Sequence, residues 1–88
     1  MPKQHDLKIW PEFFADVVSG AKRYEVRSND RSFDLDDVLV LREWNPESKE
    51  YTGQLCKARV IHIMRSTDTP VGFLLSPNVC VMGIEVFG

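Results

Sequence analysis

Apolar positions along this 88-residue chain change period several times, and each change marks a candidate element. Asp6 to Trp10 alternates, with Leu7 and Ile9 on one face and Lys8 and Trp10 on the other, as a short strand requires. The period then lengthens. Phe13, Phe14, Val17 and Val18 recur at helical spacing and predict a buried stripe, while Glu12 and Asp16 take the polar side. Pro11 suits the first helical position, where its missing N–H costs nothing, and Gly20 suits a left-handed stop. Pro11 to Gly20 is the best-defined element of the chain.

Alternation resumes at Lys22 to Arg27, a second strand. Tyr24 and Val26 share one face and are expected to enter the core; Arg23, Glu25 and Arg27 share the other. Such a charged ledge is either a solvated edge or the floor of a polar cleft. A polar turn at 28–31 follows. Val38 to Trp44 opens with a continuous apolar run, the mark of a strand buried on both faces; 45–50 reads as a hairpin-like loop, and Tyr51 begins the returning strand before Thr52-Gly53. Leu55 to Met64 is rich in β-branched residues and places Cys56, Ala58, Val60, His62 and Met64 on one face. That face makes His62 a core histidine, whereas His5, near the terminus, is assigned to the surface. Ser66 to Pro77 reads as a loop with one helical turn carrying Val71, Phe73, Leu74 and Leu75. Val79 to Phe87 is the last strand, where Gly83 suits a bulge or a close backbone approach.

One helix of about nine residues cannot cover both faces of an open parallel sheet. An α+β fold with a strongly curved mixed sheet, or half-closed barrel, plugged by that helix buries the apolar faces better. Residues 1–88 are expected to form a single domain, since the length suits one core and no repeat or composition shift divides it. The polar start and the lack of a long apolar run point to a cytoplasmic protein without membrane contact. Cys56 and Cys80 then read as two buried thiols. Neither they nor the two histidines show ligand spacing, so no metal and no cofactor is expected.

The net charge of −2 argues against a protein that coats nucleic acid by bulk charge, but its distribution is uneven. Lys22, Arg23, Arg27 and Arg31 outnumber the acids within residues 22–31, and residues 54–65 hold Lys57, Arg59 and Arg65 with no acid. Residues 33–50 are predominantly acidic. Two basic strands on one face would make a positive patch that the total conceals. Alternatively, these side chains only protect strand edges and solubility.

The order of motifs carries a resemblance. His5 to Ile9, a helix ending Ser19-Gly20, and Lys22-x-x-Glu25-x-Arg27 resemble the ASCH branch of the PUA-like superfamily. Asn29-Asp30-Arg31, Phe33, the run Asp37 to Trp44, and Val81 to Glu85 are similar to an ASCH-like family of bacteria and phages, domain of unknown function 3850. The resemblance spans His5 to Glu85. It implies a PUA-like small mixed β-barrel of about five or six strands with one main helix near the N-terminus. It also implies a cleft beside that helix that binds RNA or a modified nucleotide, and it nominates Lys22, Glu25 and Arg27 as ligand-binding residues. Arg42 and Trp44 are expected to contribute from an adjacent strand. Some small ASCH proteins resemble amidohydrolases of acetylated cytidine that work through a lysine, a threonine and a glutamate. Lys22 matches the lysine, but Glu25 stands where the threonine nucleophile would be, and a carboxylate cannot replace that hydroxyl without changing the mechanism.

Three functions therefore stand side by side. The first is a non-catalytic module that binds single-stranded RNA or a nucleotide, with Trp44 and Trp10 as stacking platforms and Arg27 and Lys22 on phosphate. The second is a small hydrolase of a modified nucleoside or RNA, using Lys22 and Glu25, with Glu85 as a further acid. The third is a protein–protein adaptor. Against the first two stands a purely structural reading, in which Glu25, Arg27 and Arg42 form an ion-pair network that holds the barrel together.

Overall fold

The computed structural model describes residues 2–68 and 75–88, and within them one helix is set against a five-stranded sheet. In chain order the elements are β1 (Gln4–Ile9), α1 (Pro11–Ser19), β2 (Tyr24–Ser28), β3 (Val38–Asn45), β4 (Glu50–Met64) and β5 (Val79–Val86). The spatial order is β1-β3-β4-β5-β2. β1 runs parallel to β3, and every other pairing is antiparallel. β4 is long enough to pair with β3 along its first part and with β5 along its second, so right-handed twist accumulated along it curls the sheet. The outer strands β1 and β2 consequently approach each other. Arg27 Nη2 donates to the Lys8 carbonyl across the remaining gap at 2.9 Å. The result is the α+β half-barrel that burial demanded.

Alternation fills its interior. Leu7 and Ile9 of β1, Leu39 and Leu41 of β3, Cys56, Ala58 and Val60 of β4, and Cys80, Met82 and Ile84 of β5 all point inward. Val40 is also buried, so β3 is covered on both faces as its apolar run requires. The two cysteines are free thiols inside this core, and burial raises the pKa of each. No helix among the described residues is long and apolar enough to cross a membrane.

The helix begins and ends where its punctuation predicts. Pro11 occupies the first position, and Gly20 closes the helix at φ 86°, a left-handed conformation that a side chain would strain. Its apolar stripe is narrower than expected. Only Phe14 and Val17 are buried, while Phe13 and Val18 stay exposed because each borders a hollow rather than the core.

Three expectations about facing and extent are corrected. β2 begins at Tyr24 rather than Lys22, and its polarity is reversed: Glu25 is 3% exposed, whereas Tyr24 and Val26 are about half exposed. The returning strand expected from Tyr51 begins at Glu50, and it continues unbroken through Gly53 into the run from Leu55, so that the two form one strand, β4. His62 is exposed, because a bulge between Val60 and His62 shifts the alternation and turns Ile63 toward the core instead. The bulge lies opposite Gly83, where an added Cβ would stand 3.3 Å from the His62 Cβ, so that a larger residue there would push His62 back by a few tenths of an ångström. Of the helical turn expected within Ser66–Pro77, Val71, Phe73 and Leu74 lie outside the described residues.

His5 is the fourth correction, being buried rather than superficial. Its Nε2 lies 2.9 Å from Asp37 Oδ2, and its ring packs on Phe33 with centroids 4.7 Å apart. Asp37 also accepts the backbone N–H groups of Lys3 at 2.9 Å and Asp34 at 3.0 Å. Burial alone would raise its pKa. The hydrogen bonds from Lys3, His5 and Asp34, with the charge of His5, outweigh burial and lower it. This joint ties the start of β1 to the segment entering β3.

Candidate functional site

The gap between β1 and β2 is a hollow of about 470 Å³, within the range that holds small ligands. Three elements build it. β1 contributes Lys8 and Ile9, the turn into the helix and its first turn contribute Trp10 and Phe13, and the Lys22–Arg27 segment supplies the opposite wall. The sequence order explains the convergence. β1 and β2 are the two outer strands yet are joined directly through α1, so the helix must arch from one side of the gap to the other.

Charge lies along one wall of the hollow. Glu25 Oε1 accepts from Lys22 Nζ at 2.6 Å, and Oε2 accepts from Arg27 Nε at 2.8 Å. A carboxylate this buried is tolerated because both its oxygens are met by cations. Lys22 Nζ also donates to the Tyr24 carbonyl at 2.7 Å, and Arg27 holds the Lys8 carbonyl. The trio therefore carries one net positive charge, fixed by hydrogen bonds to the backbone on both sides. Aromatic rings complete the walls: Trp10, Phe13 and Tyr24 are each about half exposed. Lys22 Nζ lies 4.8 Å from the Tyr24 ring centroid and 5.9 Å from that of Phe13, within cation–π range.

Lys22, Glu25 and Arg27 are thus brought together, and Arg42 and Trp44 are not among the residues that line this hollow. β5, not β3, is the neighbour of β2, so the expected adjacent-strand contribution is corrected by the topology. Arg42 pairs with Asp6 at 3.7 Å rather than with Glu25, and Trp44 lies beneath Lys8 Nζ at 4.5 Å. Glu85 pairs with Arg59 at 3.1 Å. Tyr24 and Phe13, both assigned to the core from sequence, are lining residues instead. Tyr24 was recoverable: once Glu25 faces inward, strand alternation turns Tyr24 out. Lys8 carried no comparable signal, because its role depends on the sheet curling back on itself.

Comparison with known proteins adds kinship without chemistry. Over 68 residues the chain is 34% identical to an uncharacterized 12.9 kDa protein in the GpA 3′ region of Escherichia phage P2. That alignment covers 77% of this chain and 61% of the relative, so the chain spans about three fifths of the length of the curated relative it matches. Residues 4–84 match the family described as Domain of unknown function (DUF3850). The match takes in every strand and the helix that frame the hollow, and the chain belongs to the DUF3850 family.

Proposed function

We propose that this protein is a PUA-like module that binds single-stranded RNA or a nucleotide in the hollow between β1 and β2. One observation carries the reading: half-exposed aromatic rings stand beside a hydrogen-bonded pair of cations in a space of ligand size. An unstacked base needs a ring face and a phosphate needs fixed positive charge. Arg27 and Lys22 supply the charge, and Trp10, Phe13 and Tyr24 the faces. Glu25 acts by positioning both cations. The curled mixed sheet with one arching helix supports placing the family in the PUA-like superfamily, as the sequence resemblance implies.

The lining favours binding over hydrolysis. Among the described residues, none that lines the hollow is Ser, Thr, Cys or His. Titration of Trp10 emission with nucleotides and short RNAs, in a Trp44→Phe background, tests the proposal. Emission should change saturably, affinity should fall as salt rises, and Arg27→Ala should weaken binding about tenfold or more. A folded Arg27→Ala protein with unchanged affinity would remove the hollow from consideration. Product formation from acetylated cytidine would instead favour the hydrolase.

A further inference from the structure

Outside the hollow, three neighbouring strands present a second set of cationic and aromatic side chains. Lys8 of β1 is in register with Arg42 of β3, and Trp44 of β3 is in register with Tyr51 of β4. Lys8 Nζ stands 4.5 Å from the Trp44 ring centroid and 5.8 Å from that of Tyr51. Tyr51 is 53% exposed. It also lines a separate depression of about 480 Å³ with Arg42, Asp6 and Leu55. Lys8 lines the first hollow as well, so it joins the two places. Among the described residues Lys8 has no acidic partner, and its charge is held over rings instead of being neutralised.

We propose that the occupant is a single strand of RNA rather than a lone nucleotide, and that it leaves the hollow across Lys8 onto Tyr51. This inference rests on the preceding reading of the hollow and extends it. A phosphodiester passing over the rim meets the uncompensated ammonium of Lys8, and the next base meets the open face of Tyr51. Arg42 flanks that base. Asp6, paired with Arg42 at 3.7 Å, is the one carboxylate among the described residues lining this depression, and it opposes a polyanion. That opposition gives the proposal a signature with two signs.

The experiment compares nucleoside monophosphates with the corresponding homopolymer tetranucleotides at fixed salt, using Trp10 emission and backbone amide shifts. At least one tetranucleotide should bind tenfold or more tightly than its monophosphate. Tyr51→Ala should remove about five- to tenfold of that advantage while leaving monophosphate affinity unchanged. Tyr51→Phe should retain it, because stacking needs the ring and not the hydroxyl. Asp6→Asn should tighten tetranucleotide binding, the opposite of what loss of a purely structural ion pair would do. Monophosphates that bind as tightly as tetranucleotides would overturn the second subsite and leave the first intact. So would an advantage that survives Tyr51→Ala. Failure of every probe to move the residues of the hollow would overturn both readings.

Discussion

Asp37 and Glu25 are both buried carboxylates, and their surroundings differ in a way that separates architecture from binding. Asp37, 1% exposed, is enclosed by two backbone N–H groups and His5, with Phe33 packed on the imidazole. Glu25, 3% exposed, is met by two long cationic side chains that border an open hollow. Backbone donors are fixed once the chain folds, so the first arrangement is a joint. Lys22 and Arg27 have rotamers and spare N–H groups, so the second can turn toward a guest without unmaking a strand ladder. Burial of a carboxylate is therefore not the telling observation; the kind of donor that compensates it is.

The strongest way to break this contrast is Asp37→Ala. It strands two amide donors and a buried imidazole, and should cost about 3–5 kcal/mol in urea denaturation. Ligand affinity in the surviving folded fraction should not change. A loss below about 1 kcal/mol would show that the joint is dispensable. Acidification probes the same group more gently. Because the Asp37 pKa is lowered by folding, its contribution is complete above the ordinary aspartate value and is lost as pH falls through the folded value. Asp37→Asn should therefore flatten the acid limb of the stability profile, and an unaltered limb would assign acid sensitivity to other groups.

Glu25→Gln addresses the other side of the comparison. It leaves Lys22 and Arg27 without their shared anion and should cost about 1–2 kcal/mol, softened by water at their exposed parts. The hollow then carries two net positive charges, so phosphate affinity should rise even as thermal stability falls. Parallel losses of both would favour the ion-pair network as structure alone. The smallest effect is expected from Gly83→Ala, about 1 kcal/mol, since the His62 Cβ must retreat by a few tenths of an ångström. Gly83 also pairs with Tyr24, so its amide-shift changes should concentrate in β2 and spare the Asp37 joint.

Local signals in the sequence predicted local structure well. Pro11 and Gly20 bracket the helix because they act on their own backbone, and the Val38–Leu41 run marks a buried strand because burial on both faces needs no partner identity. The group Lys22, Glu25 and Arg27 was also legible, since residues two and three apart near one strand converge without any long-range contact. The curled sheet and the close approach at Gly83 were expected as well; what failed was the facing that curvature and register impose on individual side chains. The charged side of β2 faces inward because two distant strand edges meet, and His62 turns out because one residue is inserted opposite Gly83. Arg42 and Trp44 are not among the residues lining the hollow, since β4 and β5 separate β3 from β2 in the spatial order. Periodicity assigns faces; it does not say which face becomes the inside of a curled sheet.

The contact between Arg27 and the Lys8 carbonyl has a mechanical consequence. A continuous barrel wall resists opening because parting two strands ruptures a whole ladder, whereas here, among the described residues, the Arg27 guanidinium fastens one rim to the other. Widening the mouth by an ångström or two sacrifices that fastening and no strand pairing. Deuterium uptake at Val26 should consequently run ahead of uptake at Val40, whose neighbours on both sides are strands. A molecule built this way carries its own clasp, and the residue that closes it is also one that greets the incoming anion.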